Sequence, residues 1–168
     1  LDQLRALHEG PNGPLDLAQP YSCHPDGGGN PDDLPLEDQD YPHLIFAVVH
    51  RGNNDVLRYI AQQLISIGKD PHAADSRGRT PIWVAALKGH ESCVRALGEC
   101  GANPNQANII GGTPCLIAAQ KGHESCIRAL VELGADLNQA NNYGATPCYA
   151  AAAYGHASCI RVLHNLGG

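Results

Sequence analysis

Seven cysteines and nine histidines in 168 residues are the side chains with the strongest claim to chemistry. His90, His123 and His156 each stand three residues before a cysteine, Cys93, Cys126 and Cys159, a spacing that suits paired imidazole and thiolate ligands of zinc. The three pairs recur every 33 residues, however, so each cysteine holds the same place on the same element. A position repeated in this way reads as packing rather than as one convergent site. Cys115 and Cys148 share the offset, so five of the seven cysteines read as small buried hydrophobes. Cys23 and Cys100 fall outside that explanation, and Cys100, beside Gly101, is expected to be the more reactive thiol. Gly27-Gly28-Gly29-Asn30 lacks the preceding strand, following helix and lysine of a phosphate loop. Ser92, Ser125 and Ser158 recur as surface positions, and no nucleophile, base and orienting acid stand apart from the repeat. The expectation is a non-enzyme with no metal site and no cofactor.

The elements that position these residues follow from the same period. Thr80-Pro81, Thr113-Pro114 and Thr146-Pro147 align with one another, as do Gly89-His90, Gly122-His123 and Gly155-His156. Each unit opens on a turn, Asp75-Ser76-Arg77-Gly78, Asn108-Ile109-Ile110-Gly111 or Asn141-Asn142-Tyr143-Gly144, whose Asp or Asn and positive-φ glycine suit a hairpin tip. The threonine hydroxyl can cap the helix that follows, and proline at the first helical position lacks only an amide that would be unsatisfied anyway. Gly89, Gly122 and Gly155 end that helix. A second helix, about 91–99, 124–132 and 157–165, places Cys93, Val94 and Leu97 and their equivalents at i, i+1 and i+4, one apolar stripe. With Phe 1, Trp 1 and Met 0, the core must come from small aliphatic residues, and units of this size bury their faces by stacking on one another.

Thr113-Pro114-Cys115-Leu116-Ile117-Ala118-Ala119-Gln120-Lys121-Gly122-His123 resembles the Thr-Pro-Leu-His signature of the ankyrin-repeat family, and Gly134-Ala135-Asp136-Leu137-Asn138 resembles its inter-repeat loop. The resemblance covers about residues 43–168 and implies an all-α solenoid of helix-turn-helix units with hairpin loops. Regular units are expected at about 75–107, 108–140 and 141–168. A degenerate unit at about 43–74 has no Thr-Pro, and its Gly52 lies 16 residues before Gly68 where later units use 12, adding about one helical turn. Trp83, Leu116 and Tyr149 replace the signature histidine, which points to more apolar packing there.

Residues 1–42 form a different segment. Seven of the twelve prolines and the glycine run lie there, with nine acidic residues against Arg5 alone. That arm carries −8, so the chain's net −6 leaves about +2 for the rest, too little and too scattered to neutralise a run of phosphates. An extended acidic arm is expected, with a short helix possible over 1–9. Its Leu15, Leu17, Tyr21, Leu34, Leu36 and Tyr41 are the apolar anchors by which it could dock on the repeats, and 34–41 could cap the first unit. Nucleic acid and membrane insertion are disfavoured, since no apolar run nears the roughly 20 residues that span a bilayer. Many unpaired thiols point to an intracellular reducing compartment, cytoplasmic first, with organelle import after loss of a targeting peptide also compatible. The absence of methionine predicts a processed product or a fragment.

The family resemblance implies a protein-protein interaction module that uses hairpin tips and the concave first-helix face. Residues not dictated by the framework on those surfaces are Arg77, Arg79, Leu87, Lys88, Ile109, Ile110, Lys121, Tyr143 and Tyr154. A reversible adaptor, a permanent subunit of a larger assembly and the regulatory region of a larger enzyme are the alternatives. Ile160, Val162, Leu163 and Leu166 in the last helix lead to the expectation of further repeats or a partner at the C-terminal end.

Overall fold

A computed structural model describes residues 41–167, so the expectations for residues 1–40 of the acidic arm lie outside them, whereas 41 and 42, expected in the extended arm, belong to the first helix. Every regular element among these residues is an α-helix. They are α1 (Tyr41–Arg51), α2 (Asn54–Ser66), α3 (Pro81–Lys88), α4 (Glu91–Glu99), α5 (Pro114–Lys121), α6 (Glu124–Glu132), α7 (Pro147–Ala153) and α8 (Ala157–Asn165). α1, α3, α5 and α7 pack side by side as one layer and α2, α4, α6 and α8 as a second. The result is an all-α stack of four helix pairs.

The local chemistry of each regular unit is what its sequence dictates. Thr80, Thr113 and Thr146 accept through Oγ1 from the amides of Trp83, Leu116 and Tyr149 at 3.4, 3.1 and 3.2 Å, closing the helix start behind a proline. Left-handed glycines end α3 and α5, Gly89 at φ 76° and Gly122 at φ 80°. In the second layer Cys93, Val94, Leu97, Cys126, Ile127 and Leu130 are fully buried. Each such aliphatic side chain stabilises the stack by about 1.5–3 kcal/mol. α2 has 13 residues where α4, α6 and α8 have 9, the additional turn expected for the first unit.

Three expectations change in detail. Cys148 is half-buried while its equivalent Cys115 is buried, and Ile160 is half-buried while Val94 and Ile127 are buried. Burial at these positions is completed by the next unit in the stack. Trp83 is buried but not merely apolar, since its indole Nε1 donates to the carbonyl of Gly112 at 2.9 Å and ties the second unit to the third. α1 begins at Tyr41, two residues before the expected start of the degenerate unit at about 43.

Candidate functional site

The hairpin tips are rigid at their base and bare at their ends. Asp75, Asn108 and Asn141 each accept two backbone amides on one carboxylate or amide oxygen, at 2.9 and 2.9, 3.2 and 2.8, and 3.0 and 3.0 Å. These bonds fix the tip so that the two residues before each glycine project outward. Ile109, Ile110 and Tyr143 are 66%, 44% and 80% exposed, a cluster of large apolar side chains on neighbouring tips. Arg77 is exposed on the tip before them.

Arg79 is not a loose surface cation. Its Nε and Nη2 donate to Asp75 Oδ2 at 2.6 Å and its guanidinium lies 6.0 Å from the centre of the Trp83 ring. Burial raises the Asp75 pKa, but the Arg79 side chain and backbone amides of Arg79 and Arg77 outweigh it, and the carboxyl sits below its ordinary value.

Along the other end of the first-helix layer the equivalent positions are Arg51, Lys88, Lys121 and Tyr154, at the ends of α1, α3, α5 and α7. Lys88 and Lys121 are exposed with no carboxylate in ion-pair range among the described residues, and Tyr154 is 59% exposed. Leu87 is half-buried beside Lys88. The first-layer helices contain no acidic residue at all. A cation in a last turn is favoured by the helix dipole, but the dipole would equally favour acids in the first turns, and none is present. In the second layer Arg58 pairs with Glu99, and Arg95 with Glu91 at 2.9 Å and with Glu132. Lys88 and Lys121 thus stand on a layer whose helices hold no acid, whereas the carboxylates Glu91, Glu99 and Glu132 all lie in the second layer, where they pair with Arg58 and Arg95. His50 registers this, since packing around its ring and the charges of Lys88, Arg79 and His90 lower its pKa.

The histidines that suggested metal ligands do something else. His90 Nε2 lies 3.3 Å from the carbonyl of His50, His123 Nε2 3.2 Å from that of Leu87, and His156 Nε2 3.0 Å from that of Gln120. Each imidazole joins its unit to the preceding one. This role escaped the sequence reading, although a histidine directly after a positive-φ glycine at a fixed period was its visible signal. Among the described residues no group of three metal-ligating side chains converges.

Repeating Asx-anchored tips, Thr-Pro helix starts and Gly-His junctions in one stack decide the relationship, and a family model described as "Ankyrin repeats (3 copies)" matches residues 28–108 and 100–167. The chain belongs to the ankyrin-repeat family. Over 56 residues, 33% of the chain, it is 39% identical to "Potassium channel AKT2" of Oryza sativa subsp. japonica. That match spans 6% of the channel's length. Ankyrin repeats are in general protein-protein interaction modules, and no described helix of this ankyrin stack is long and apolar enough to cross a membrane.

Proposed function

We propose that the chain is a non-catalytic binding module whose first-helix face takes an extended acidic segment of a partner protein. The observation that carries this is that Lys88 and Lys121 stand exposed, with no carboxylate in ion-pair range among the described residues, on helices devoid of acids. Packed helices lie about 8–10 Å apart. An extended peptide rises about 3.3 Å per residue, so carboxylates three residues apart would meet successive rungs. Exposed ion pairs supply only about 0–1 kcal/mol each, so the cations select and steer while apolar contacts at Ile109, Ile110, Tyr143 and Tyr154 supply most of the affinity.

The similarity to a short stretch of a much longer channel favours a second reading of the same surface, as the interaction region of a larger polypeptide. Intact mass of the native protein separates these two readings. Six free cysteines among the described residues support a reducing compartment.

The test is fluorescence anisotropy with extended 12-residue peptides that carry glutamate, lysine or glutamine at every third position around a fixed set of leucine and tyrosine residues. The glutamate peptide should bind, weaken steeply with salt, and be lost on Lys88→Glu with Lys121→Glu while the melting temperature holds. Equal binding of the glutamine or lysine peptide contradicts the proposal.

A further inference from the structure

The three internal junctions of the stack share one contact, and the two between regular units share a second. A histidine ring lies on the glycine that ends the preceding first helix, so close that a Cβ on Gly52, Gly89 or Gly122 would stand 2.9, 2.7 or 2.7 Å from the Nδ1 of His90, His123 or His156. The same ring reaches, through Nε2, the carbonyl two residues before that glycine. At the hairpins, the Ile109 amide donates to the Arg77 carbonyl at 3.1 Å and the Asn142 amide to the Ile110 carbonyl at 3.0 Å. The tip glycines Gly78 and Gly111 lie against those amides, with a Cβ 3.0 and 2.8 Å from nitrogen.

The fourth unit presents the receiving half of this arrangement. Gly155 and Gly144 both hold φ 78°, and a Cβ on either would meet nothing within 4 Å among the described residues. The carbonyls equivalent to the acceptors above are those of Ala153 and Tyr143. Between them the face is apolar. Tyr149 is 65% exposed where Trp83 and Leu116 are buried, Ala152 is exposed where Ala86 and Ala119 are buried, and Cys148 and Ile160 are half-buried where their equivalents are buried. Two backbone acceptors, two bare left-handed glycines and an apolar strip thus stand in the register of the internal interfaces, the glycine-histidine half of which recurs three times and the hairpin half twice.

We infer that this face docks a further ankyrin-type repeat in the same register, one whose first-to-second-helix turn carries a histidine. The imidazole would lie on Gly155 and donate to the Ala153 carbonyl, and a hairpin amide would donate to the Tyr143 carbonyl. The opposite end of a second copy is a poor occupant, because Asn53 stands where the other units have histidine and its side chain is turned back to accept from the Val56 amide at 3.2 Å. Continuity with the internal interfaces therefore favours a histidine-bearing repeat over head-to-tail assembly of this chain.

The experiment extends the chain after Gly168 with a copy of its own residues 103–134, in which the copied His123 is either kept or replaced by alanine. Melting and hydrogen exchange of the 168-residue chain and both extended chains are compared. The histidine-bearing copy should raise the melting midpoint by about 5 °C in a single transition, and slow amide exchange in α7 and α8 by about tenfold or more. The alanine copy should give back a measurable part of both gains. A copied unit that stays unfolded beside an unchanged 41–167 overturns the inference, as does an alanine copy that performs as well as the histidine one. A parent chain that dimerises in solution with protection confined to α7 and α8 also overturns it, by making a second copy the occupant.

Discussion

His123 and Gly89 are in contact across two repeats, the imidazole lying on the glycine so that a β-carbon there would stand 2.7 Å from Nδ1. The left-handed φ of 76° at Gly89 ends α3, and the missing side chain makes room for the ring whose Nε2 reaches the Leu87 carbonyl. One glycine thus serves the helix end and the junction together.

That double role is separable by mutation. Gly89→Ala and Gly155→Ala meet the same backbone penalty, about 1–2 kcal/mol for a left-handed residue with a β-carbon. Only Gly89→Ala also displaces an imidazole, since no described residue lies within 4 Å of a Cβ at Gly155. Urea denaturation should show the larger loss for Gly89→Ala. Equal losses would mean that the ring contact contributes nothing.

Ile109 and Ile110 use their backbone in the hairpin network but leave their side chains in solvent. Replacing both with serine should change stability by no more than about 0.5 kcal/mol and weaken binding of the glutamate peptide by about 1–3 kcal/mol. Thermal melting and anisotropy check the two halves separately, and unchanged affinity would remove the tips from the binding surface.

Thiol reactivity should divide the six cysteines of the described residues into two classes. Burial pushes Cys93 up to about 11 and Cys126 up to about 12. Cys115 is pushed to about 12, by burial first and then the charges of Asp136 and Cys159, while Cys159 is raised as well. Cys100 and Cys148 are half-buried. Timed maleimide labelling of the native protein, read by peptide mass, should modify Cys100 and Cys148 well before the other four. Comparable rates throughout would contradict the burial assigned to the repeat cysteines.

His50 makes stability depend on pH in a stated direction. Its folded pKa lies below the ordinary 6.5, so the unfolded chain takes up a proton first as pH falls. The contribution is therefore fully present above about pH 6.5 and is lost as pH drops through the folded value. Between pH 7.5 and 5.5 the parent chain should lose more stability than His50→Asn. An acidic peptide bound near Lys88 should raise the His50 titration midpoint, observable by NMR, and a midpoint that stays put would place the peptide elsewhere.

Much of this molecule could be read from its sequence because the same local solution is written three times. A Thr-Pro pair, an Asx-x-x-Gly turn and an i, i+1, i+4 apolar stripe each specify an element through contacts within about ten residues, and the burial of Cys93, Cys126 and Cys159 followed from their shared position. Features that depend on a neighbouring unit were harder to see. His90-x-x-Cys93 looks like a ligand pair, but the ring's partner is a carbonyl 40 residues earlier in the chain. Arg79 looks like an exposed cation, but Asp75 and Trp83 hold it. Cys148 and Ile160 share the pattern of buried residues, yet their burial depends on whatever follows them in the stack. The candidate surface was legible as a set of unconstrained positions, whereas the confinement of the paired carboxylates Glu91, Glu99 and Glu132 to the second layer became visible only with the ion pairs in place.

The most direct measurement is a chemical-shift map of the 15N-labelled chain titrated with the glutamate peptide. Shifts should run across the first-helix ends at Lys88, Lys121 and Tyr154 and the tips at Ile109, Ile110 and Tyr143, and should fade together as salt rises. Shifts confined to the second-layer helices α4, α6 and α8, or saturable binding that leaves the first-layer ends unmoved, would contradict a partner surface on the acid-free face.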